Sequence, residues 1–232
     1  GRAHSGPPDP LRIQGLAKRF GGRTVLAGFD LVVSRGEIVG LVGPNGCGKT
    51  TTLSIVTGLV RNDGGSVEVA GFRVGSIEAR RCLAFIPDVP GGFDELTALE
   101  HVRLVAALHR CSPECDREGE TMIERFGLRD RRHERLGELS LGLRRRVAMA
   151  AALALPTPLV LVDEATATLD PPTVETLRAV LRDRAQSGAG VLLASQDPAF
   201  VRATCDRVHE FDDGALVATD KPEKATACLH EA

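Results

Sequence analysis

The chain has 232 residues, of which 43% are hydrophobic and 26% are charged. This composition excludes a fibrous or disordered protein and is sufficient for one large globular domain, or for a core with an inserted lobe. The 29 Lys and Arg residues against 31 Asp and Glu residues leave a formal net charge of -2. The overall charge therefore gives no indication of a nucleic-acid partner.

The sequence favours a cytoplasmic location. Its 6 cysteines are scattered and lack the spacing of a secreted disulfide framework, which indicates a reducing compartment. Residues 1–10 have no apolar segment of the kind found in signal peptides, and we predict that they form a flexible leader. The longest apolar region, residues 147–162, is shorter than a membrane span and is interrupted by Pro156 and Pro158. Any membrane crossing is therefore expected to belong to another chain.

Short apolar runs predict the strands. The first runs lie close together and are joined by Gly-rich turns, so we expect an antiparallel β layer in the N-terminal part. The later runs alternate with helical patterns, which is typical of an α/β protein with a largely parallel sheet. Asp213-Gly214 predicts a final hairpin. The predicted strands are residues 11–13, 25–26, 31–33, 38–42, 67–69, 83–86, 159–162, 191–194 and 208–211.

Between about residue 95 and residue 155 the strand patterns stop and helical patterns take their place. A capping box at Thr97 opens the first helix, Ser112-Pro113 opens the second, and Ser140 caps the third. We predict that the first helix buries Leu99, Val102, Val105 and Leu108. The pattern indicates a helical lobe inserted into an α/β core.

A phosphate-binding loop is predicted in EIVGLVGPNGCGKTT, residues 37–51. The pattern G-x-x-x-x-G-K-T stands directly after an apolar strand and before a helix, as such a loop requires. Its glycines let successive N–H groups face the phosphates, and the helix N-terminus adds its dipole. Lys49 is expected on the β and γ phosphates, and the Thr50 hydroxyl on Mg²⁺. The predicted nucleotide-contacting residues are Gly43, Pro44, Asn45, Gly46, Cys47, Gly48, Lys49, Thr50 and Thr51.

A second strand, PLVLVDEAT at residues 158–166, ends in two adjacent acids. Neighbouring residues of a strand point to opposite sides, so the two carboxylates are expected to have different tasks. We predict that Asp163 binds Mg²⁺ and that Glu164, at the strand exit, faces an attacking water. Together with a phosphate loop, these acids indicate a nucleotide hydrolase.

The order of these pieces resembles the nucleotide-binding domain of the ABC ATPase family over residues 11–219. LSLGLRRRVAMAAAL, residues 139–153, is similar to the family signature LSGGQ and its helix. Ser140 and Gly142 match the signature, whereas Leu141 and Leu143 depart from it. ATLD at 167–170 resembles the D-loop, with Asp170 in the aspartate position. The resemblance implies one domain at 11–232: a P-loop NTPase core with an N-terminal antiparallel β layer and an inserted α-helical lobe that carries the signature.

The resemblance also implies a mechanism and partners. Two such domains pack head to tail with Mg-ATP between the phosphate loop of one and Ser140 and Gly142 of the other, as a homodimer or a heterodimer. ATP binding and hydrolysis then drive a polytopic membrane permease, which places the chain at the inner face of the plasma membrane. The IPD and ELTALEHV stretches, at 86–88 and 95–102, are similar to ATPases of ABC-2-type exporters. No nucleic-acid partner is expected.

Two further positions are compared with the family's own residues. Phe20 stands in the place of the aromatic that stacks on adenine, and the alternative is a core residue of the β layer. Asp88 stands where the family's Q-loop places Gln. It is predicted either as a Mg²⁺ ligand or as a solvated turn acid. The run Arg144 to Arg146 is interpreted as a solvated helix face with salt bridges.

Gln196, after the strand at 191–194, stands where the family has its switch histidine. In the family, a neutral histidine at this position donates a hydrogen bond to the γ-phosphate. The amide of Gln196 can donate the same bond but cannot carry a proton. Because Glu164 is present as a general base, we predict slow ATP hydrolysis in which Gln196 takes part. The alternatives are an ATP-binding regulatory subunit with little turnover and an ABC ATPase that acts on DNA or ribosomes. The single phosphate loop and the slightly acidic charge disfavour the latter.

Overall fold

The computed structural model describes residues 6–112, 114–166, 169–212 and 214–220. It contains two β-sheets and a group of helices. The strands are β1 (Leu11–Phe20), β2 (Arg23–Val33), β3 (Ile38–Val42), β4 (Gly64–Val69), β5 (Phe72–Arg73), β6 (Leu83–Ile86), β7 (Leu159–Asp163), β8 (Gly190–Ala194), β9 (Arg207–Asp212) and β10 (Ala215–Asp220). The α-helices are α1 (Lys49–Val56), α2 (Ile77–Arg81), α3 (Ala98–Leu108), α4 (Glu114–Arg125), α5 (Leu141–Leu153), α6 (Pro171–Gln186) and α7 (Pro198–Thr204).

The first sheet has the order β2-β1-β4-β5, and every pairing in it is antiparallel. This confirms the predicted N-terminal β layer. The prediction of separate strands at 25–26 and 31–33 was wrong, because β2 runs without a break through both. Gly28 has a φ of 95° and is skipped in the pairing with β1, which passes from Phe29 to Ala27. A bulge at glycine therefore keeps the strand continuous where the apolar pattern is interrupted.

The second sheet has the order β10-β9-β3-β8-β7-β6 and is parallel from β9 to β6. This confirms the predicted parallel core, and the antiparallel pairing of β9 with β10 confirms the final hairpin. Alternate residues of β8 belong to two different apolar cores. Val191 and Leu193 pack with the helices, whereas Leu192 and Ala194 pack with α1 and the first sheet. Both faces of the parallel sheet are therefore covered.

Helices α3, α4 and α5 form the predicted lobe. The capping box at Thr97 is present: Thr97 Oγ1 accepts from the Glu100 N–H at 3.2 Å, and Glu100 Oε2 accepts from the Thr97 N–H at 2.8 Å. The predicted inward position of Leu108 was wrong, since its side chain is 70% exposed. Leu108 lies nine positions after Leu99, which is half a turn away on a helix of 3.6 residues per turn. Ala106 occupies the inward position instead.

Several predicted features lie outside the described residues: part of the leader (1–5), Pro113, Ala167 and Thr168 of the predicted D-loop, and Asp213 of the hairpin. The predicted cap of the third helix is described. Ser140 Oγ accepts from the Leu143 N–H at 3.4 Å and stands at the N-cap of α5. Within the described part of the chain, no helix combines the length and the apolarity needed to cross a membrane.

We expect His209 in β9 to make stability depend on pH. Burial and the positive charge of Arg207, whose Nη1 lies 3.2 Å from His209 Nε2, lower the pKa of His209 to about 4. The unfolded chain therefore binds this proton below about pH 6.5 while the folded chain does not, so stability is lost as the pH falls from 6.5 towards 4. Between pH 7 and pH 5, this group accounts for a loss of about 2 kcal/mol in the free energy of unfolding.

Urea unfolding of wild type and His209→Gln at both pH values isolates this contribution from that of other titrating groups. The variant is expected to lose less stability than wild type on acidification. His133→Gln, at an exposed position, is the matched control and keeps the wild-type pH dependence. Equal losses in wild type and His209→Gln would contradict the assignment.

Candidate functional site

Four parallel strands end side by side at one edge of the second sheet. The phosphate loop follows β3, the pair Ser195-Gln196 follows β8, Glu164 follows β7, and Asp88 lies two residues beyond β6. Ligand sites of open parallel sheets lie at this edge, beyond the carboxyl ends of the strands. The cavity formed there, called the loop cavity below, is lined by Asn45, Gly46, Gly48, Lys49, Thr50, Thr51, Asp88, Glu164 and Gln196.

The shape of the phosphate loop depends on two of its glycines. Gly43 has a φ of 147°, and a Cβ at this position would stand 2.5 Å from the Phe211 carbonyl oxygen. Gly48 has a φ of 118°, and its Cβ would stand 2.6 Å from Leu26 Cδ2. Gly48 is also the N-cap of α1 and offers no side chain to the first N–H groups of the helix. These N–H groups and the helix dipole are suited to bind an anion.

Lys49 is buried at the start of α1. Its ammonium donates to the carbonyl oxygens of Gly43 at 2.6 Å and Pro44 at 3.1 Å, and lies 4.0 Å from Glu164 Oε1. Cys47 is buried in the core beneath the loop, with its Sγ 3.9 Å from the same ammonium. The positive charge is therefore held across the loop by neutral oxygens, within reach of a phosphate in the cavity.

Thr50 and Asp163 provide adjacent oxygen atoms. Thr50 Oγ1 donates to Asp163 Oδ1 at 3.3 Å. Burial raises the pKa of Asp163 to about 6; the hydrogen bond from Thr50 opposes this rise, and the negative charges of Glu164 and Asp88 add to it. Among the described residues, no group of three or more His, Cys, Asp or Glu side chains could hold a metal ion. A hydroxyl and a carboxylate nevertheless fit Mg²⁺, which commonly completes its shell with phosphate and water oxygens.

Glu164 is held firmly at the strand exit. It has a φ of 43°, in the left-handed region, and its N–H donates to the Ala194 carbonyl oxygen at 2.9 Å. Its Oε2 accepts from the Gln196 N–H at 3.1 Å, whereas Oε1 is buried and accepts no hydrogen bond in the described part of the chain. The Gln196 side-chain amide donates to Asn45 Oδ1. Gln196 thus connects the carboxylate to the phosphate loop.

Arg145 was missed as a site residue by the sequence reasoning. Its Nη2 donates to Asp88 Oδ1 at 2.9 Å, and its Nη1 lies 3.4 Å from the Glu164 carbonyl oxygen. The salt bridges predicted for the three arginines are present, but the predicted solvated position was wrong for Arg145, which is only 8% exposed. Successive helical residues point about 100° apart, so Arg144 and Arg146 reach other acids, Asp94 at 3.0 Å and Asp170 at 2.7 Å. A run of three arginines does not reveal which one is buried.

Four predicted site residues outside the phosphate loop and the β7 exit, namely Phe20, Ser140, Gly142 and Asp170, do not line the loop cavity. Phe20 ends β1, is 49% exposed and has Lys18 Nζ 4.9 Å above its ring, so it is not a core residue. Ser140 is exposed, and Gly142 lies in the first turn of α5. Asp170 stands at the N-cap of α6, but its side chain makes no cap bond and binds Arg146 instead.

The doubly covered parallel sheet, the glycine-bounded loop at a helix N-terminus and the Thr50–Asp163 pair define a P-loop nucleotide-binding protein with an inserted helical lobe. Comparison with known sequences narrows this class. The ABC transporter family profile matches residues 26–167, which is more than half of the chain. The chain belongs to this family and is an ABC transporter ATP-binding subunit, as its sequence motifs predicted.

Similar proteins extend the match to most of the chain. The lipopolysaccharide export system ATP-binding protein LptB of Haemophilus influenzae is 35% identical over 221 residues, covering 92% of this chain and 91% of that protein. The SkfA peptide export ATP-binding protein SkfE of Bacillus subtilis is 32% identical and covers 89% and 87%. A solved structure of an ATP-binding subunit of an ABC transporter superposes with a TM-score of 0.87 at 31% identity, covering 91% and 89%.

Proposed function

We propose that the chain binds Mg-ATP in the loop cavity and hydrolyses it, with Glu164 as the general base. The observation that carries this proposal is the position of Glu164. One oxygen is fixed by the Gln196 N–H, and the other is buried 4.0 Å from the Lys49 ammonium and accepts no hydrogen bond from the described residues. A carboxylate held in this way can accept the proton of a water beside a bound phosphate. The φ of 43° at Glu164 is consistent with a functional constraint on the backbone.

The other residues of the cavity bind and orient the substrate. Lys49 and the N–H groups at the start of α1 contact the β and γ phosphates, which replace the loop carbonyls as partners of the ammonium. Thr50 and Asp163 would hold Mg²⁺, which would supply positive charge against the phosphate oxygens. Gln196 is held by Asn45 and donates a hydrogen bond towards the γ-phosphate, but cannot carry a proton.

In this proposal, the signature residues Ser140 and Gly142 complete the ATP site of the partner subunit in a dimer. Ser140 is exposed, lies outside the chain's own loop cavity and caps the N-terminus of α5. A helix N-terminus with an exposed serine is suited to a phosphate held by another chain, which supports a head-to-tail dimer. Leu141, 52% exposed beside Ser140, makes this surface less polar than a glycine would. The dimer pairs two copies or this chain with a different ATP-binding subunit.

We further propose that the subunit powers export through a separate polytopic permease at the inner face of the membrane. Two of its relatives are named for lipopolysaccharide export and for peptide export. The segment between β6 and α3 supports such a partner, because its apolar residues Val89 and Phe93 are 73% and 62% exposed. Affinity purification from detergent-solubilised membranes tests this proposal. A polytopic membrane protein is expected in the complex, and ribosomes or DNA in its place would contradict it.

The hydrolysis proposal is tested with Gln196→His. We expect slow steady-state Mg-ATP hydrolysis by the wild-type chain and a roughly tenfold faster rate in the variant, because histidine adds a group that can carry a proton. Gln186→His, at an exposed position of α6, is the matched control and leaves the rate unchanged. An equal rate in wild type and Gln196→His would show that this position does not limit turnover.

A second candidate function follows from the same side chain. If the wild-type chain binds ATP without turnover and Gln196→His recovers activity, the chain is an ATP-binding regulatory subunit that requires an intact partner. The amide of Gln196, which cannot take up a proton, is the observation that favours it.

A further inference from the structure

Negative side chains outnumber positive ones around the loop cavity, which is proposed to bind phosphates. Asp88 and Glu164 line the cavity, and Asp163 lies buried beside Thr50. Lys49 is the one cation that lines the cavity in the described part of the chain. A triphosphate entering this site meets several negative charges, which oppose its binding unless they are compensated.

Arg145 supplies a second positive charge from outside the cavity. It lies on α5, in the helical lobe, yet its guanidinium reaches the segments after β6 and β7 through Asp88 Oδ1 at 2.9 Å and the Glu164 carbonyl oxygen at 3.4 Å. The side chain of Asp88 is 49% exposed, whereas that of Arg145 is 9% exposed. The ion pair therefore has a buried cation and an acid that remains accessible from the cavity.

We propose that Arg145 is a positioning residue that holds Asp88 at the edge of the loop cavity and neutralises it, so that Asp88 is available to Mg-ATP without repelling the triphosphate. The inference rests on the proposed function and adds to it a residue of the helical lobe. Removing one member of such a pair leaves a charge uncompensated, whereas removing both keeps the net charge of the site. The two single variants and the double variant therefore have different expected effects.

The sign of each effect follows from charge. Arg145→Met leaves Asp88 uncompensated, so ATP without Mg²⁺ binds about fivefold more weakly, and Mg²⁺ increases the affinity more than in wild type. Asp88→Asn leaves the positive charge of Arg145, so ATP without Mg²⁺ binds about fivefold more tightly, and Mg²⁺ increases the affinity less. The double variant restores the affinity for ATP without Mg²⁺ to the wild-type value. Titration of a fluorescent ATP analogue measures the affinity of wild type and of the three variants, in EDTA and in Mg²⁺.

Thermal unfolding of the nucleotide-free proteins provides a second readout that does not depend on activity. Because Arg145 and Asp88 stabilise the fold as a pair, each single variant already loses their interaction. The decrease in melting temperature of each single variant is therefore expected to exceed half of the decrease measured for the double variant. Arg144→Met and Asp94→Asn are matched controls: they break the neighbouring ion pair of 3.0 Å, whose members do not line the loop cavity. These controls leave the Mg²⁺ dependence of ATP binding unchanged. If Arg145→Met does not fold, Arg145→Lys is used in its place. This variant keeps the charge and is expected to keep the wild-type affinity for ATP without Mg²⁺.

Shifts of the same sign in Arg145→Met and Asp88→Asn would overturn the inference, as would an equal change of Mg²⁺ dependence in the Arg144 and Asp94 controls. Such results leave the proposed ATP binding intact. Absence of Mg-ATP binding in the wild-type chain would instead contradict the proposed function, and this inference with it.

Discussion

We expect Glu164→Gln to lower the steady-state rate of Mg-ATP hydrolysis by at least about 100-fold, the contribution of the proposed general base, and to leave ATP binding intact. Glutamine has nearly the same shape as glutamate, so the backbone bond to Ala194 at 2.9 Å and the acceptor for the Gln196 N–H at 3.1 Å are kept. An amide does not accept the proton of an attacking water. Because the variant has one negative charge fewer beside the phosphates, its affinity for ATP is expected to equal or exceed that of the wild type.

Hydrolysis is measured as the release of phosphate, and binding is measured by titration with a fluorescent ATP analogue. Glu175→Gln is the matched control, because it makes the same chemical change at an exposed acid of α6 that pairs with Arg178. Wild-type turnover in Glu164→Gln would assign the base to another residue. Normal turnover in Glu175→Gln is required for the comparison to be specific to the loop cavity.

The same variant tests which of the two proposed dimers forms, because a nucleotide that is shared between two subunits and is not hydrolysed would keep them together. Light scattering of Glu164→Gln with Mg-ATP is expected to give twice the mass of the chain if two copies pair. A mass of one chain under these conditions would exclude a stable homodimer and favour a different ATP-binding subunit as the partner.

We expect Lys49→Met to weaken ATP binding by about 100-fold, because it removes the proposed charge-assisted hydrogen bonds to phosphate oxygens at a buried site, where each contributes about 1.5–3 kcal/mol. Lys49 is 5% exposed, and its ammonium spans the loop between the Gly43 and Pro44 carbonyl oxygens. Methionine has a similar length and packs against the same apolar surroundings without the charge. The expected loss is measured by isothermal titration with Mg-ATP.

Arg103→Met is the control for Lys49→Met. It removes one positive charge and an ion pair with Glu120 on the surface of the helical lobe, and we expect wild-type affinity. Circular dichroism of both variants checks that the fold is retained, since Lys49→Met also leaves two loop carbonyls without their donor. Affinity within about threefold of wild type in Lys49→Met, a difference below 1 kcal/mol, would contradict the role given to the ammonium.

Local patterns in the sequence were reliable where the structure depends on neighbouring residues. The strands at 38–42 and 83–86, the capping box at Thr97 and the serine cap of α5 were predicted and are observed. Each follows from an apolar run or from a hydrogen bond between residues three positions apart. The interruption of β2 was wrongly predicted because a bulge at Gly28 depends on the pairing with β1. The apolar pattern contains no information on that pairing.

The sequence by itself determined the family, the phosphate loop and the two adjacent acids at the exit of β7, because these are motifs of adjacent residues whose chemistry is local. Tertiary structure decided which distant residues meet. Asp88 and Arg145 are 57 positions apart and Asn45 and Gln196 are 151 apart, yet each pair is in hydrogen-bond contact. The register of the parallel strands and the packing of α5 bring them together, because side chains at the ends of neighbouring strands share one edge of the sheet.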